Sequence, residues 1–450
     1  MSRKMLTKLI SLMLLVSLTL MLGLVFAGCS QPAQTTTTTA PTTKQSETEA
    51  TTTVNDKPFE GREMSILIGS VTLTDAYKNL LDDFAKATGI EVDLQVVPGD
   101  AAQYMQLVQS KIATKEYTDI VVYASGPSFL NSLLPAENVV EITDAEILGK
   151  LKEGVTNLGG SRDGKVYGIP FGGIDFTGLL CNMDVFEQLN LTPPENFDQL
   201  VTVSEAILAA DQGIVPIYEM GKQGGPLSAY IYTDIAKDYA MNLSVMQQIN
   251  TGKMRFENTF ILGSLERKMQ LQDKGFFNED MMSGVWDTMF AALSSNKMAM
   301  TFMYSNVLPL LYKNYPEANV KMVPLNGYAV STFTQAIYMM KTDNQDLSLE
   351  FLKFFTDDAT LDKLYNDLKA VPAYLGVVNE VDPTLEAMYT QLNAGKWAPV
   401  FFDQLIVGAG QVPVLQEMHT NQITPYEACV KLSDKFQQLG REMNMPGFND

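Results

Sequence analysis

Asp163-Gly-Lys-Val-Tyr-Gly-Ile-Pro-Phe-Gly-Gly173 reads as a seam where the chain passes from one lobe into another. Asp163-Gly164 is a turn dipeptide, Lys165 to Ile169 is a short β run, and Pro170 forces an extended conformation on the residue before it. Gly172-Gly173 then allows backbone angles closed to other residues, or lets something approach the backbone closely. A strand that ends in such a loop suits a hinge at the mouth of a cleft. An ordinary turn and edge strand would use the same residues, so the neighbouring segments must decide.

Upstream, a strand over Met64 to Ile68 opens into the loop Gly69-Ser70-Val71-Thr72. Thr74 or Asp75 then caps a helix whose apolar residues Tyr77, Leu80, Leu81 and Phe84 fall at helical spacing, with Gly89 at its C-terminal end. The alternating strand Ile90 to Val96 completes a β-α-β unit, which implies a parallel sheet with helices packed on it. A second unit places a helix around Tyr104 to Ala113 before a buried strand, Thr118 to Tyr123, that opens into Ala124-Ser125-Gly126-Pro127. Ligands of open α/β sheets sit at the carboxyl ends of strands, which nominates Ser70 to Thr72 and Tyr123 to Gly126.

Downstream, Thr177 to Asn182 reads as a strand, and a helix starts near Met183. Pro193-Pro194 turns the chain into an amphipathic helix from Phe197 to Ala210. Further helices are signalled at Thr259 to Lys274, Asp287 to Ser295 and Leu347 to Asp357. Asp382-Pro383 starts another that Gly395 stops, and Thr424-Pro-Tyr-Glu427 is a capping box for a final helix ending at Gly440. There is no internal repeat.

The 450 residues suffice for two domains with sizeable cores, and an apolar fraction of 46% is ordinary for a globular chain. A formal charge of −20 makes nucleic acid and anionic lipid poor partners. Three cysteines cannot build a disulfide scaffold, and His419 is the single histidine, which argues against histidine-dependent catalysis and His-rich metal sites. No cofactor or metal is called for. The N-terminus carries Arg3, Lys4 and Lys8, then an apolar run from Leu9 to Phe26, then Ala27-Gly28-Cys29, the pattern of an export signal. The small residues before the cysteine resemble a bacterial lipobox, which implies a signal peptide over 1–28 and lipidation of Cys29; a plain transmembrane anchor is the alternative. Residues 29–57, rich in threonine, read as a flexible tether.

Several segments carry a resemblance when taken in order. They are Phe84 to Val92, Thr118 to Val122, Asp163 to Pro170, Asn182 to Phe186, Asn296 to Met300, Glu350 to Phe355 and Ile423 to Ala428. Together they resemble a family 1 extracellular solute-binding protein, the sugar-binding class that feeds ABC transporters. The resemblance implies an α/β fold of two lobes, each a mainly parallel sheet flanked by helices, with the ligand cleft at a three-segment hinge. Crossings would fall near Pro170, Ser331 to Gln335 and Ala370 to Ala373. The first lobe would then comprise 58–170 and 333–370, the second 171–332 and 371–450. The implied protein is a monomer on the extracellular face of a Gram-positive-type membrane, held by its lipid, handing an oligosaccharide to permease subunits. A non-sugar solute, a sensor-kinase partner and an envelope glycosidase are the alternatives.

A sugar needs flat apolar faces for its C–H surfaces and fixed polar groups for its hydroxyls. Tyr123, Phe171, Trp286, Tyr304, Trp397 and Phe401 are the expected apolar residues of the site, and Ser70, Thr72, Ser125, Asp175, Asn306 and Gln335 the polar ones. Asp175 leads, because related maltodextrin binders place an acidic residue after the hinge loop; its plain reading is a turn-capping aspartate. Positions that carry cradle tryptophans in maltodextrin binders are here Leu67, Asn306 and Gly408, and Val71-Thr72 replaces a charged pair. A long maltodextrin is therefore not the expected ligand.

Other motifs carry no chemistry. Gly159-Gly-Ser-Arg-Asp-Gly-Lys165 lacks the Ser or Thr that a phosphate-binding loop needs after its lysine, and Val166 stands there. Ser294-Ser-Asn-Lys297 reads as a helix end. Cys181 and Cys429 could pair or remain buried thiols, and His419 reads as a solvated helix end.

Overall fold

The computed structural model describes residues 57–448 except 71, 99–100, 153–154, 156–159, 223 and 333–334. The export signal, Cys29, most of the tether, Val71 and Gly159 thus lie outside the described residues.

The first lobe is built on the strands β1 (Glu63–Gly69), β2 (Glu91–Val97), β3 (Ile120–Ala124) and β6 (Gly168–Pro170), the last preceded by a small hairpin of β4 (Ser161–Arg162) and β5 (Lys165–Val166). The hairpin turns at Asp163-Gly164, both with positive φ, 53° and 75°. The second lobe is built on β7 (Asp175–Asn182), β8 (Val215–Ile217), β9 (Met298–Tyr304), β10 (Val320–Val323) and β11 (Ala329–Thr332). The chain then returns to the first sheet with β12 (Gln335–Met339) and closes the second with β13 (Trp397–Pro399). The strand orders are β2-β1-β3-β12-β6 and β13-β11-β7-β9-β8, with β10 also on β7.

Direction matters more than order here. β1, β2 and β3 are parallel, β12 runs against β3, and β6 runs against β12. β6 therefore ends, and β12 begins, on the same carboxyl edge where β1 and β3 end. In the second sheet β7 runs against both β9 and β11, while β8 is parallel to β9 and β13 to β11. So β8, β9, β11 and β13 all end on the edge where β7 begins. Because the β6–β7 and β11–β12 links are short, the carboxyl edge of one sheet faces that of the other.

The link from Pro170 to Asp175 explains its glycines. A Cβ on Gly172 would stand 2.6 Å from the Tyr77 hydroxyl, and one on Gly173 would stand 2.5 Å from the Ala370 Cβ. Close approach, not positive φ, is what both positions require. Ile174 bridges Val371 here, so a third chain segment lies against the link.

Most helices fall where spacing put them, with instructive exceptions. The helix Asp75–Thr88 buries Tyr77, Leu80, Leu81 and Phe84 and stops at Gly89 (φ 76°), but Thr74 makes no side-chain capping bond. Phe84, fully buried, meets Phe351 edge-on at 5.2 Å; truncating such a phenylalanine costs about 3–5 kcal/mol. The Thr424–Glu427 capping box is present in both directions. The last helix, Pro425–Glu442, runs past Gly440, where the missing side chain leaves room for Phe448, its ring 2.4 Å from where a Cβ would be. The helix Gly224–Met241 has no sequence signature: Pro226 to Ala236 are all buried, so no polar face marks its period. Cys181 and Cys429 are free, buried thiols. His419 is not a solvated end; its ring is 4% exposed, its Nδ1 lies 2.6 Å from Gln272 Oε1, and burial holds its pKa well below the ordinary value.

Candidate functional site

The facing carboxyl edges bring together loops from both lobes. From the first come Ser70 after β1 and Ser125-Gly126 after β3; from the second come 218–225 after β8, Tyr304 at the end of β9 and 400–406 after β13. The lobes touch at one side of this junction. Gly126 (φ 115°) lies so close to Asp403 that a Cβ would stand 2.7 Å from the Asp403 carbonyl oxygen. Asn131 Nδ2 donates to the Ile406 carbonyl at 2.9 Å.

The chemistry of the junction centres on Asp403, which the sequence reading missed. Its side chain is partly exposed, and among the described residues its carboxylate accepts no hydrogen bond. Burial pushes the carboxyl up to about 7. Two tyrosines feel its charge. Burial first, then Asp403 and Glu219, raise the Tyr304 hydroxyl far above its ordinary range; Tyr232 is raised by burial, then by Tyr304 and Asp403. The Tyr304 hydroxyl donates to the Gly225 carbonyl at 2.8 Å, and a Cβ on Gly225 would lie 3.1 Å from the Tyr304 ring. A carboxylate able to accept from two hydroxyls, beside an aromatic ring, is the group set a sugar requires. The available signal was an acidic residue directly after the apolar run Val400-Phe-Phe402.

Of the expected residues, Tyr304, Ser70, Thr72 and Ser125 lie on the loops at the facing edges, and Gln335 starts β12 beside them, paired with Ala124. Asp175 begins β7 and accepts a hydrogen bond from Ser305 Oγ at 3.3 Å, and it shares with Asn306 and Tyr312 a cavity of about 260 Å³. Trp397 lines a separate groove of about 770 Å³, bounded by Leu130 and Asn131 on one side and Tyr239 and Ile406 on the other. Trp286 opens the helix Trp286–Ser294 and stacks on Phe290 at 6.2 Å.

Three expected ligand contacts are core residues instead. Tyr123, fully buried in a strand covered on both faces, packs against Tyr104 and Phe129 at about 6 Å. Phe171 stacks on Tyr77 at 4.2 Å and is 2% exposed. Phe401 is enclosed by Tyr239, Phe402 and Phe260, at 5.1, 5.5 and 5.8 Å. Each of the three side chains turns inward into its lobe.

The sequence profile of the bacterial extracellular solute-binding proteins matches residues 79–391. The chain belongs to that family. An uncharacterized ABC transporter extracellular-binding protein of Pyrococcus horikoshii is 24% identical over 268 residues, 54% of this chain. The match spans 60% of that relative's length. Among solved structures, a binding protein of Bacillus subtilis in an open conformation superposes with a TM-score of 0.68 at 17% identity, covering 85% of this chain and 98% of that one. A sugar transporter protein of Bacillus licheniformis, in complex with stachyose, superposes with a TM-score of 0.63 at 17% identity, covering 84% and 100%. These likenesses establish the fold of the solute-binding protein: two lobes with α/β sheets.

Proposed function

We propose that this solute-binding protein captures a short oligosaccharide between its two lobes and hands it to the permease subunits of an ABC transporter. The observation that carries the reading is Asp403, a carboxylate beside Tyr304 at the junction where the other lobe's Gly126 closes against it. Related folds solved with stachyose, raffinose and acarbose support the ligand class. Tyr304 supplies an aromatic ring, Asp403 accepts hydroxyl hydrogens, and Ser70, Thr72, Ser125 and Gln335 face the ligand from the first lobe. A ligand touching both edges binds the closed arrangement better than the open one and shifts the population toward closure.

The same reading assigns the hinge crossings to the chain near Pro170, to 331–335 and to 370–373, the first lobe to 58–170 with 333–370, and the second to 171–332 with 371–450. It places a lipid on Cys29 after removal of 1–28, so that a monomer tethered by 29–57 works on the extracellular face of the membrane. Among the described residues no helix is long and apolar enough to cross a membrane. No catalytic step belongs to the reading.

Thermal unfolding of the fragment that starts after Cys29 tests it, against stachyose, raffinose, chitin oligosaccharides and maltotriose, with amino acids and polyamines alongside. A bound sugar at a hundredfold excess over its dissociation constant stabilises the native state by about 2.7 kcal/mol. The sugar should be recovered intact. If only a non-sugar raises the transition, the carbohydrate assignment falls; if sugar is cleaved, the receptor assignment falls.

A further inference from the structure

Beneath the junction, the second lobe buries a charge pair. Lys268, on the helix Phe260–Asp273, is 0% exposed and sets its Nζ 2.8 Å from Glu219 Oε2, which is 4% exposed. The same Nζ donates to the Leu227 carbonyl at 2.7 Å. Glu219 follows β8, and Leu227 lies in the first turn of the helix Gly224–Met241. One ammonium therefore grips both ends of the loop that carries Gly221, Lys222, Gly224 and Gly225 to the facing edge.

Among the described residues, hydrogen bonds elsewhere hold the loop through its backbone. The Glu219 amide donates to Asn278 Oδ1 at 2.7 Å, the Gly221 amide to the Met281 carbonyl at 2.6 Å, and Gln416 Nε2 donates to the Gly221 carbonyl at 3.0 Å. At its far end the Gly225 carbonyl receives the Tyr304 hydroxyl. Gly221 packs too tightly for a side chain: a Cβ there would stand 2.7 Å from the Met281 carbonyl oxygen. Met220 and Leu227 bury their side chains at either side of the loop's glycines, but only the ammonium joins the Glu219 side chain to the Leu227 carbonyl.

Stability alone does not account for the pair. Taking both charges out of water is expensive, and apolar residues of similar volume are often as stable or more so. What apolar replacements cannot do is reach the Leu227 carbonyl and the Glu219 side chain from one point. We infer that Lys268 and Glu219 are positioning residues: a clasp that sets the 219–227 loop, and through the Gly225 carbonyl the Tyr304 ring, for ligand. The ligand half of this inference rests on the oligosaccharide reading above; the loop half does not.

The test is the double variant Lys268→Met with Glu219→Met, compared with the native chain by hydrogen exchange, thermal unfolding and stachyose titration. The clasp predicts an unchanged or higher transition temperature while the amides of Met220 to Leu227 exchange at least about tenfold faster. A loop in its binding geometry about a tenth of the time lowers apparent stachyose affinity about tenfold. Unchanged exchange in 220–227 overturns the clasp. Faster loop exchange with unchanged stachyose affinity overturns its role in binding. If stachyose fails to bind the native chain, that is a failure of the ligand class, and the exchange comparison still decides the clasp. Should the double variant not fold, Glu219→Gln, which keeps size and a carbonyl acceptor but removes the charge, takes its place under the same exchange criterion.

Discussion

Gly126 of the first lobe and Asp403 of the second meet backbone to backbone, with no room for a Cβ between the Gly126 α-carbon and the Asp403 carbonyl. Gly126 also holds a φ of 115°, a conformation that favours glycine. Both facts reserve the position for glycine, at a contact between the lobes.

Gly126→Ala should therefore oppose the closed arrangement. The added methyl would have to displace 402–406 or hold the lobes apart, so ligand affinity should fall at least about tenfold, which is about 1.4 kcal/mol. Backbone strain lowers stability as well, by about 1–3 kcal/mol. Small-angle scattering separates the two effects: the variant should stay extended at a sugar concentration that compacts the native chain. Equal compaction would refute the closure role.

Asp403 predicts a pH dependence of stability with a definite sign. Its folded carboxyl titrates near 7 because of burial, while an unfolded aspartate titrates at about 3.9. Between those values the folded state holds the proton and the unfolded state does not, so this group's contribution falls as pH rises from about 4 to about 7 and is flat beyond. Asp403→Asn removes the titration. The difference in transition temperature, variant minus native, should grow from pH 4.5 to pH 8. A difference constant across that range would mean that Asp403 ionises freely.

Asp119 works in the opposite sense. Burial acts to raise its carboxyl, but hydrogen bonds from the Ser65 amide and hydroxyl, Thr342 and Asn344 outweigh it and hold the carboxyl below the usual range. That stabilisation is present above the unfolded pKa and is lost as pH falls through the folded one. Because Asp119 ties β1 to β3 and to the turn after β12, Asp119→Ala should cost about 2–4 kcal/mol in urea unfolding at pH 7, and less at pH 3. A loss below 1 kcal/mol at pH 7 would contradict the network.

The sequence was most legible where one face of an element is wet. Tyr77, Leu80, Leu81 and Phe84 mark one face of the same helix, and burial bears them out. Legibility failed where everything is buried: Pro226 to Ala236 form a helix with no polar stripe, and His419 sits at a helix end that other segments cover. For the site, chain position named the right edges but could not say which way a ring turns. Tyr304 stays at the junction, while Tyr123 and Phe401, equally near strand ends, point into their lobes. Asp403 went unread because its significance arises from Gly126, Tyr232 and Tyr304, all distant in sequence.

Asp175 and Asp403 now stand as rival acceptors, and their surroundings rank them. Asp175 already accepts from Ser305 Oγ beside its own strand, so Asp175→Asn should change affinity less than threefold, under about 1 kcal/mol. Titrating that variant with the sugar that stabilises the native chain checks this; a loss of a hundredfold would make Asp175 the principal contact.

Calorimetric titration of the native chain and of Asp403→Asn with that same sugar, at pH 8 where the native carboxyl is ionised, tests the central claim most directly. Loss of a charged acceptor for ligand hydroxyls should weaken binding by about 1.5–3 kcal/mol, at least tenfold, with the thermal transition of the ligand-free variant undiminished. Equal affinity in the two proteins would contradict a site built around Asp403.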